Sequence, residues 1–438
     1  MADTAVYWFT RDLRISDNAL LHAAASAKQL LCIAVVDPVW FQHRLWQRPS
    51  MSQLRWQFLR ESLEDLDQSL RSYRQKLHIL YGSSRRVLAS LIREQGIEQL
   101  FVSQQTGTYE QNLLSALRQE FPQLVVSQAD QYTLLNREQL PFSLEDLPET
   151  YSAFRKQVER LPVSSPVEAP DSLPLMPNIT LPSTRPDWVP VQDCSRSIFK
   201  GGERQAQRHM QQYFGGSAPS HYKEVRNELA GWENSSKLSP WLNLGCVSPR
   251  QVKRSLEHYE QKHGANESTY WLYVELLWRE YFQWLSYRSG HKLFAFGGEK
   301  NRKPLTSFYP ERFLKWCEGE TPYPLVNACM KELKATGYLS NRGRQIAASC
   351  LVNELAVDWR YGAAWFEHAL VDYDVAVNWG NWQYIAGVGA DPRGGRHFNL
   401  EKQAQQYDPD RLYQKRWKAE AKFNLDSRDA ADWPIMPE

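Results

Sequence analysis

The chain has almost no net charge. Its 52 Lys and Arg are set against 50 Asp and Glu, leaving +2 over 438 residues. A whole-protein basic field is thereby excluded, and any nucleic-acid site must be a local patch. The six cysteines (Cys32, Cys194, Cys246, Cys317, Cys329, Cys350) contain no C-x-x-C pair. That scatter argues against a zinc ribbon, an iron–sulfur cluster or a disulfide framework and for reduced, mostly buried thiols, so no metal site is expected. No stretch approaches the roughly 18 uninterrupted apolar residues of a membrane span. The opening MADTAVYWFTRDLR is charged at Asp3, Arg11, Asp12 and Arg14 and lacks an apolar h-region, so a secretory signal is not expected. A cytoplasmic protein without a membrane partner, monomeric by default, is the expectation. Neither G-x-G-x-x-G nor a P-loop occurs, which removes both common phosphate fingerprints.

What the chain has in excess is tryptophan. There are 17, most of them after residue 230. A large aromatic core accounts for many, but Trp also stacks on flat ligands and can pass single electrons.

Apolar runs at Ala5–Phe9, Leu30–Val36, Leu77–Tyr81, Leu100–Ser103 and Leu124–Ser127 alternate with helical periodicity, as in Gln53–Tyr73 with Leu54, Phe58, Leu59, Leu63, Leu66 and Leu70. Uniformly apolar strands separated by helices predict a parallel five-stranded, Rossmann-like sheet covered on both faces, over residues 1–130. Residues 161–190 hold eight of the 24 prolines, which predicts an extended connector within an interdomain linker over 131–198. From 199 to 425 the pattern is helix after helix, and 426–438 is a short tail. The expected architecture is an N-terminal α/β domain, a linker and an all-α C-terminal domain.

Four segments of the helical half look unlike generic helix. The first is Tyr222-Lys-Glu-Val-Arg226 followed by Asn234-Ser235-Ser236-Lys237-Leu238-Ser239-Pro240. Small hydroxyls before a Pro and a helix start can make an anion cradle, although taken alone Ser as N-cap with Pro at N1 reads first as plain capping. The second is Glu275-Leu-Leu-Trp278, whose three-residue spacing puts both side chains on one face; it can also be a surface-to-core boundary. The third is Asn341-Arg342-Gly-Arg344-Gln, with Asn341 and Arg344 sharing a face. The fourth is Asp372-Tyr-Asp374-Val-Ala-Val-Asn378-Trp-Gly-Asn-Trp382-Gln-Tyr384. Asp pairs usually form solvated turns, but this pair lies in an aromatic stretch where an unpaired carboxylate is costly, and Arg344 is the expected partner.

WFTRDLRISDNALL, SSKLSPWLNLGCVSPR, WREYF, TGYLSNRGRQ, DYDVAVNWGNWQY and GVGADPRGGRHFN, in that order, resemble the photolyase/cryptochrome family from about residue 5 to 416. NRGRQ, the Tyr at 384 and the DPR…FN-x-x-K-Q-A tail resemble cryptochrome DASH in particular. The resemblance implies FAD folded into the helical domain. Tyr222, Ser235, Ser236, Lys237, Leu238 and Ser239 match positions holding its phosphates and ribityl chain. Arg344, Asp372 and Asp374 match the clamp on the isoalloxazine, and Asn378 matches the residue facing flavin N5. Glu275, Trp278, Asn341, Arg342 and Tyr384 match the lining of a cavity for a flipped-out cyclobutane pyrimidine dimer, with Trp278 and Tyr384 stacking on the two bases. Electron donation from the excited, reduced flavin would split the cyclobutane ring, and the electron would then return. Arg226, Arg342, Arg393, Arg396 and Lys402 are the candidates for DNA phosphate contacts.

The resemblance also has gaps. Trp382 and Trp359 match the inner two residues of a three-Trp electron-transfer chain, but the outer position holds Thr306, with Phe308 and Tyr309 nearby. Val-Asn327-Ala-Cys329-Met replaces the usual Val-Asp-Ala-Asn/Ala-Met. DASH proteins hold a folate (MTHF) antenna between domains; Asp37–Arg55 departs from that pattern, and Glu110 is the candidate folate contact. The implied activity is dimer splitting in single-stranded DNA, because a duplex adds the cost of unpairing and Tyr384 grips less than a Trp. The alternative is a light receptor that signals through a partner.

Overall fold

The computed structural model describes residues 4–43, 48–182, 184–191, 194 and 197–426. All of the expected tail but Asp426 therefore lies outside the described residues.

Thr4–Trp8 (β1), Gln29–Val36 (β2), Leu77–Tyr81 (β3), Gln99–Ser103 (β4) and Val125–Ala129 (β5) form one sheet in the order β3-β2-β1-β4-β5, with every pair parallel. Alternate residues enter different cores. Ala5, Tyr7, Leu30, Cys32, Ala34 and Val36 pack on one face, and Val6, Trp8, Leu31, Ile33 and Val35 on the other. With both faces buried, alternating polarity serves no purpose, which is why these strands read as unbroken apolar runs. The last strand runs past the apolar stretch because it pairs with β4 on one side only. Ser127 and Gln128 join the ladder opposite Phe101 and Val102.

Helices Ala19–Ala24 (α1), Gln53–Arg71 (α2), Ser84–Gln95 (α3) and Thr108–Glu120 (α4) belong to the sheet domain. Tyr151–Val158 (α5) rises from the segment expected to be linker. Tyr151, Phe154 and Val158 on it are buried in the core shared by both domains. Residues 161–190 contain no helix among their described residues, and Trp56 ties their end to α2 through Nε1–H to the Pro190 carbonyl at 3.0 Å.

The helical half comprises Glu203–Gly215 (α6), Tyr222–Val225 (α7), Ser239–Leu244 (α8), Pro249–His263 (α9), Glu267–Ser289 (α10), Pro310–Glu318 (α11), Pro324–Thr336 (α12), Asn341–Ser349 (α13), Trp359–Ala369 (α14), Val375–Ala386 (α15), Leu400–Tyr407 (α16) and Leu412–Arg416 (α17). The longest, α10, is apolar on nearly every side and is correspondingly buried, packing against α7, α9 and α15.

The N-terminal motif is the clasp between the two halves. Asp17 and Arg250 form an almost fully buried ion pair at 3.1 Å. Arg14 donates to the carbonyls of Gly245 (2.9 Å) and Asp17 (2.8 Å), and Glu203 accepts from Ile15 N–H at 2.8 Å. Gly245 closes α8 in the left-handed region (φ 65°), and a Cβ there would overlap the Arg11 carbonyl. A second clasp uses Glu280 of α10, which accepts Leu134 N–H (2.7 Å), Leu135 N–H (3.2 Å) and Trp284 Nε1–H (2.8 Å). A carboxylate with no ion-pair contact is tolerable in the interior only with such donors, and burial still pushes its pKa up to about 7, against these hydrogen bonds and the nearby Arg279 charge. Asn327, in place of the usual Asp, is fully used. It accepts from the Thr321 N–H and hydroxyl at 2.8 and 2.7 Å and donates to the carbonyls of Thr321 and Glu420, both at 2.7 Å. Asp has no N–H to give the last two.

Candidate active site

A cavity of about 590 Å³ opens into the helical domain between α8, α10, α13 and α15. That lies within the range of sites for sizeable organic ligands, roughly 300–1,000 Å³. Its wall gathers Tyr222, Arg226, Ser235, Ser236, Lys237, Leu238, Ser239, Glu275, Trp278, Asn341, Arg342, Arg344, Asp372, Asp374, Asn378, Trp382, Tyr384 and Arg396. These come from the four segments singled out above, with Arg396 from beyond the last of them. Trp359, Glu110, Arg393 and Lys402 do not line it.

One wall is the loop leading into α8. Lys237 takes a left-handed backbone (φ 52°), which turns the chain sharply between the two serines and Leu238. Its ammonium donates to Ser235 Oγ at 3.0 Å. Burial lowers its pKa to about 8, with Glu332 pulling the other way. A buried cation beside small hydroxyls suits an anionic group, which would restore the charged form of the lysine. Tyr222 lines the same cavity and is buried in a cluster with Tyr213, Leu256 and Leu272, against which Trp271 and Tyr273 of α10 pack.

The floor is acidic. Ser239 Oγ and an Arg344 N–H both donate to Asp372 Oδ2, at 2.6 and 2.8 Å. Asp372 Oδ1 is buried and has no partner. An acceptor buried without a donor is costly, so this oxygen calls for an N–H or O–H from whatever fills the cavity. Arg344 does not serve both aspartates, contrary to the expectation. Asp374 is met instead by Gln283 Nε2 (2.8 Å) and Arg279 (3.4 Å), one turn apart on α10, and it also caps α15 through Val377 N–H at 3.1 Å. The i, i+4 spacing of Arg279 and Gln283 was the available signal. Asn378, buried on α15, donates its amide to the Ala363 carbonyl at 3.1 Å, which leaves its oxygen for the cavity.

Aromatic rings surround the mouth. Trp278 stacks on Tyr151 at 3.6 Å and 13°, so a residue of the expected linker backs the platform. Tyr384 stands edge-on to Trp278, 6.0 Å away at 85°. Glu275 is ion-paired with Arg226 at 2.5 Å, and burial raises its pKa against the pull of that arginine. Arg226 itself lies over the Trp271 ring at 4.5 Å. Arg342 donates to Asn227 at 2.9 Å, lies over the Tyr407 ring at 4.8 Å, and keeps a buried Nε–H without a partner. Asn341 is exposed at the start of α13. Arg396 turns its guanidinium inward, onto Asp391 at 2.9 Å and the Tyr384 hydroxyl.

Behind the floor, Trp382 is buried against Phe366 (5.1 Å) and Trp316 (6.2 Å). Trp359 is also buried, 5.8 Å from Trp379, with its N–H on the Phe296 carbonyl. Near Thr306, Phe308 stacks on Tyr361 at 3.9 Å, and Tyr309 is buried beneath Arg312 at 4.4 Å. Glu110 sits in the first turn of α4, near enough to Arg11 to raise its pKa. Arg393 and Lys402 are exposed. Among the described residues no group of three or more His, Cys, Asp or Glu could hold a metal ion, and no helix is long and apolar enough to cross a membrane. Cys32, Cys246, Cys317, Cys329 and Cys350 are buried thiols.

Comparison with known proteins gives this geometry a family. Residues 5–171 match the DNA photolyase model, and residues 271–433 match the FAD binding domain of DNA photolyase. The chain is 48% identical over 440 residues to the Cryptochrome DASH of Idiomarina loihiensis, covering 99% of this chain and 98% of that protein. It is 47% identical to the Cryptochrome DASH of Vibrio parahaemolyticus, with 99% and 97% covered. Among solved structures, the cryptochrome of Synechocystis sp. superposes with a TM-score of 0.89 at 38% identity, over 94% of this chain and 88% of that one. A bacterial class III photolyase from Agrobacterium tumefaciens gives 0.80 at 27%, over 95% and 86%.

Proposed function

This chain belongs to the photolyase/cryptochrome family, alongside its cryptochrome DASH members, and from that premise we propose that it splits cyclobutane pyrimidine dimers in single-stranded DNA under blue light. FAD, when bound, supplies the light absorption and the electron for that reaction.

The residues of the cavity divide the remaining work. Lys237, Ser235, Ser236 and Tyr222 hold the phosphate and ribityl part. Arg344 and Asp372 would orient the ring system, an N–H of which would satisfy the unpartnered Asp372 Oδ1, and the carboxamide oxygen of Asn378 would be free to accept from it. Trp278 and Tyr384 receive the two bases, and Glu275 and Asn341 hydrogen-bond to them. Packing of the preformed rings against the lesion would exclude water. Trp382 and Trp359 would pass electrons from an external reductant toward the bound flavin. Glu110, in the first turn of α4, would be the contact for a folate antenna, which would supply additional light absorption.

The observation that carries this reading is the perpendicular pair of rings at the mouth of a cavity with an acidic, partner-seeking floor. Single strands are the preferred substrate because Tyr384 offers less stacking area than an indole, and a duplex adds an unpairing cost. The test uses reduced, FAD-loaded protein with defined thymine dimers in single-stranded and duplex oligonucleotides, under blue light and in darkness. Light-dependent reversal confined to single strands is the expected result. Equal reversal in duplexes removes the argument from Tyr384. No reversal in either removes the repair function and leaves the signalling receptor.

A further inference from the structure

Arg396 looks at first like one more cation at the rim of a DNA-binding cavity. Its surroundings say otherwise. Its Nε–H donates to Asp391 Oδ2 at 2.9 Å, and that carboxylate is fully buried, its other oxygen accepting the Arg393 N–H at 3.1 Å. A second guanidinium N–H donates to the Tyr384 hydroxyl, and the guanidinium carbon sits 4.9 Å from the centre of the same ring. The backbone is pinned as well. Arg396 N–H donates to the Ile385 carbonyl (3.0 Å), next to Tyr384, and its own carbonyl accepts from Asn353 (3.0 Å).

We infer that Asp391 and Arg396 are positioning residues that lock the Tyr384 ring edge-on to Trp278, so that the second base meets a preformed platform. The inference rests on the dimer-binding reading of the cavity. A tyrosine on a helix end has two broad χ angles to lose when it stacks on a ligand, and a ring already held spares that cost. The planar fork of Arg is what lets one side chain grip a carboxylate and a phenol together; Lys has the charge without the fork. Tyr at this position therefore offers something Trp cannot: a hydroxyl that an arginine anchored on a buried carboxylate can hold. The arrangement makes Asp391, seven residues beyond Tyr384 in a glycine-rich loop, part of lesion recognition though it does not line the cavity.

A phosphate-contacting Arg396 and a ring-positioning Arg396 give different binding data. The measurement is the dissociation constant of reduced protein for a single-stranded oligonucleotide with one thymine dimer and for the same oligonucleotide undamaged, at several salt concentrations. Wild type, Arg396→Gln, Arg396→Lys, Tyr384→Phe and the Arg396→Gln/Tyr384→Phe double variant are compared. Positioning predicts a loss of about 5- to 10-fold for the dimer alone, of the size of one ordinary hydrogen bond or one side chain left to be immobilised on binding. The undamaged strand and the salt slope stay unchanged, Lys does not rescue, and the double variant is no worse than either single one. An equal loss for both strands, a salt slope smaller by about one, and rescue by Lys would identify a phosphate contact and overturn the inference. Wild type that fails to prefer the dimer would instead overturn the dimer-binding reading. The locked ring is then read without DNA, from the ¹⁹F resonance of fluorotyrosine at 384. One line in wild type that broadens or shifts in Arg396→Gln supports positioning, and an unchanged line refutes it.

Discussion

The rings of Trp278 and Tyr384 stand 6.0 Å apart at 85°, and Tyr151 stacks on the far side of Trp278 at 3.6 Å. A platform backed on one side by a parallel ring and flanked by a perpendicular one is preformed for a flat base. Stacking of this kind is worth about 1–3 kcal/mol per base. Trp278→Ala should therefore weaken binding of a dimer-bearing single strand by roughly 5- to 150-fold, in line with that range. Flavin content should be unchanged, since the floor is untouched. A gel-shift titration paired with the 450 nm absorbance of the purified variant checks both.

The floor yields a second prediction. Asp372 holds Ser239 and Arg344 through one oxygen and keeps the other for the ligand. Asp372→Asn keeps the shape, removes the charge that balances Arg344, and gives up acceptor capacity. A lost hydrogen bond to a charged group costs about 1.5–3 kcal/mol, so FAD affinity of the apoprotein should fall roughly 10- to 150-fold. Asp374→Asn acts elsewhere, on Gln283, Arg279 and the start of α15, and should lower thermal stability more than flavin affinity. Fluorescence titration of apoprotein with FAD, beside a melting curve, separates the two.

Lys237 supplies the pH dependence. Burial lowers its pKa from 10.5 to about 8, so in the apoprotein the ammonium is present below that value and lost above it. An anion bound beside it favours the charged form, and binding above pH 8 must then take up a proton. FAD affinity should be flat below pH 8 and fall as pH rises through 8 to 10. Riboflavin, which has no phosphate, should show no such fall. Lys237→Met should abolish the dependence for FAD, and an undiminished slope in that variant would assign it to another group.

The clasp at Glu280 predicts a stability effect. All three of its neighbours are donors, from Leu134, Leu135 and Trp284. In Glu280→Gln one carboxylate oxygen becomes an NH₂ facing an N–H, which leaves at least one buried donor unmet. The cost is about 1–3 kcal/mol, read as a lower urea midpoint for the variant apoprotein.

The sheet was legible because its five strands are buried on both faces and flanked by helices with clear 3–4 periodicity. The ordered motifs of the helical half were legible as a family resemblance. What sequence alone missed is what only folding brings together. Asp374 seemed to belong to Arg344, twenty-eight to thirty residues upstream like its neighbour Asp372, yet α10 delivers Arg279 and Gln283 to it from a segment read only for Glu275 and Trp278. Tyr151 was hidden in a stretch read as linker, where α5 carries too few residues to show a period. Arg396 follows two glycines, a context that suggests a solvent-exposed cation, whereas the buried carboxylate five residues earlier turns it inward.

The central claim is that the cavity drives a light-dependent splitting in which the electron returns. It is tested most directly by one flash of blue light on anaerobic, reduced, FAD-loaded protein saturated with a single-stranded thymine dimer. Flavin and thymine absorbance are followed together. The account predicts that thymine absorbance at 265 nm appears while the flavin spectrum recovers fully to its state before the flash, with no external reductant consumed. A flavin left oxidised, or one that recovers without any thymine appearing, would contradict it.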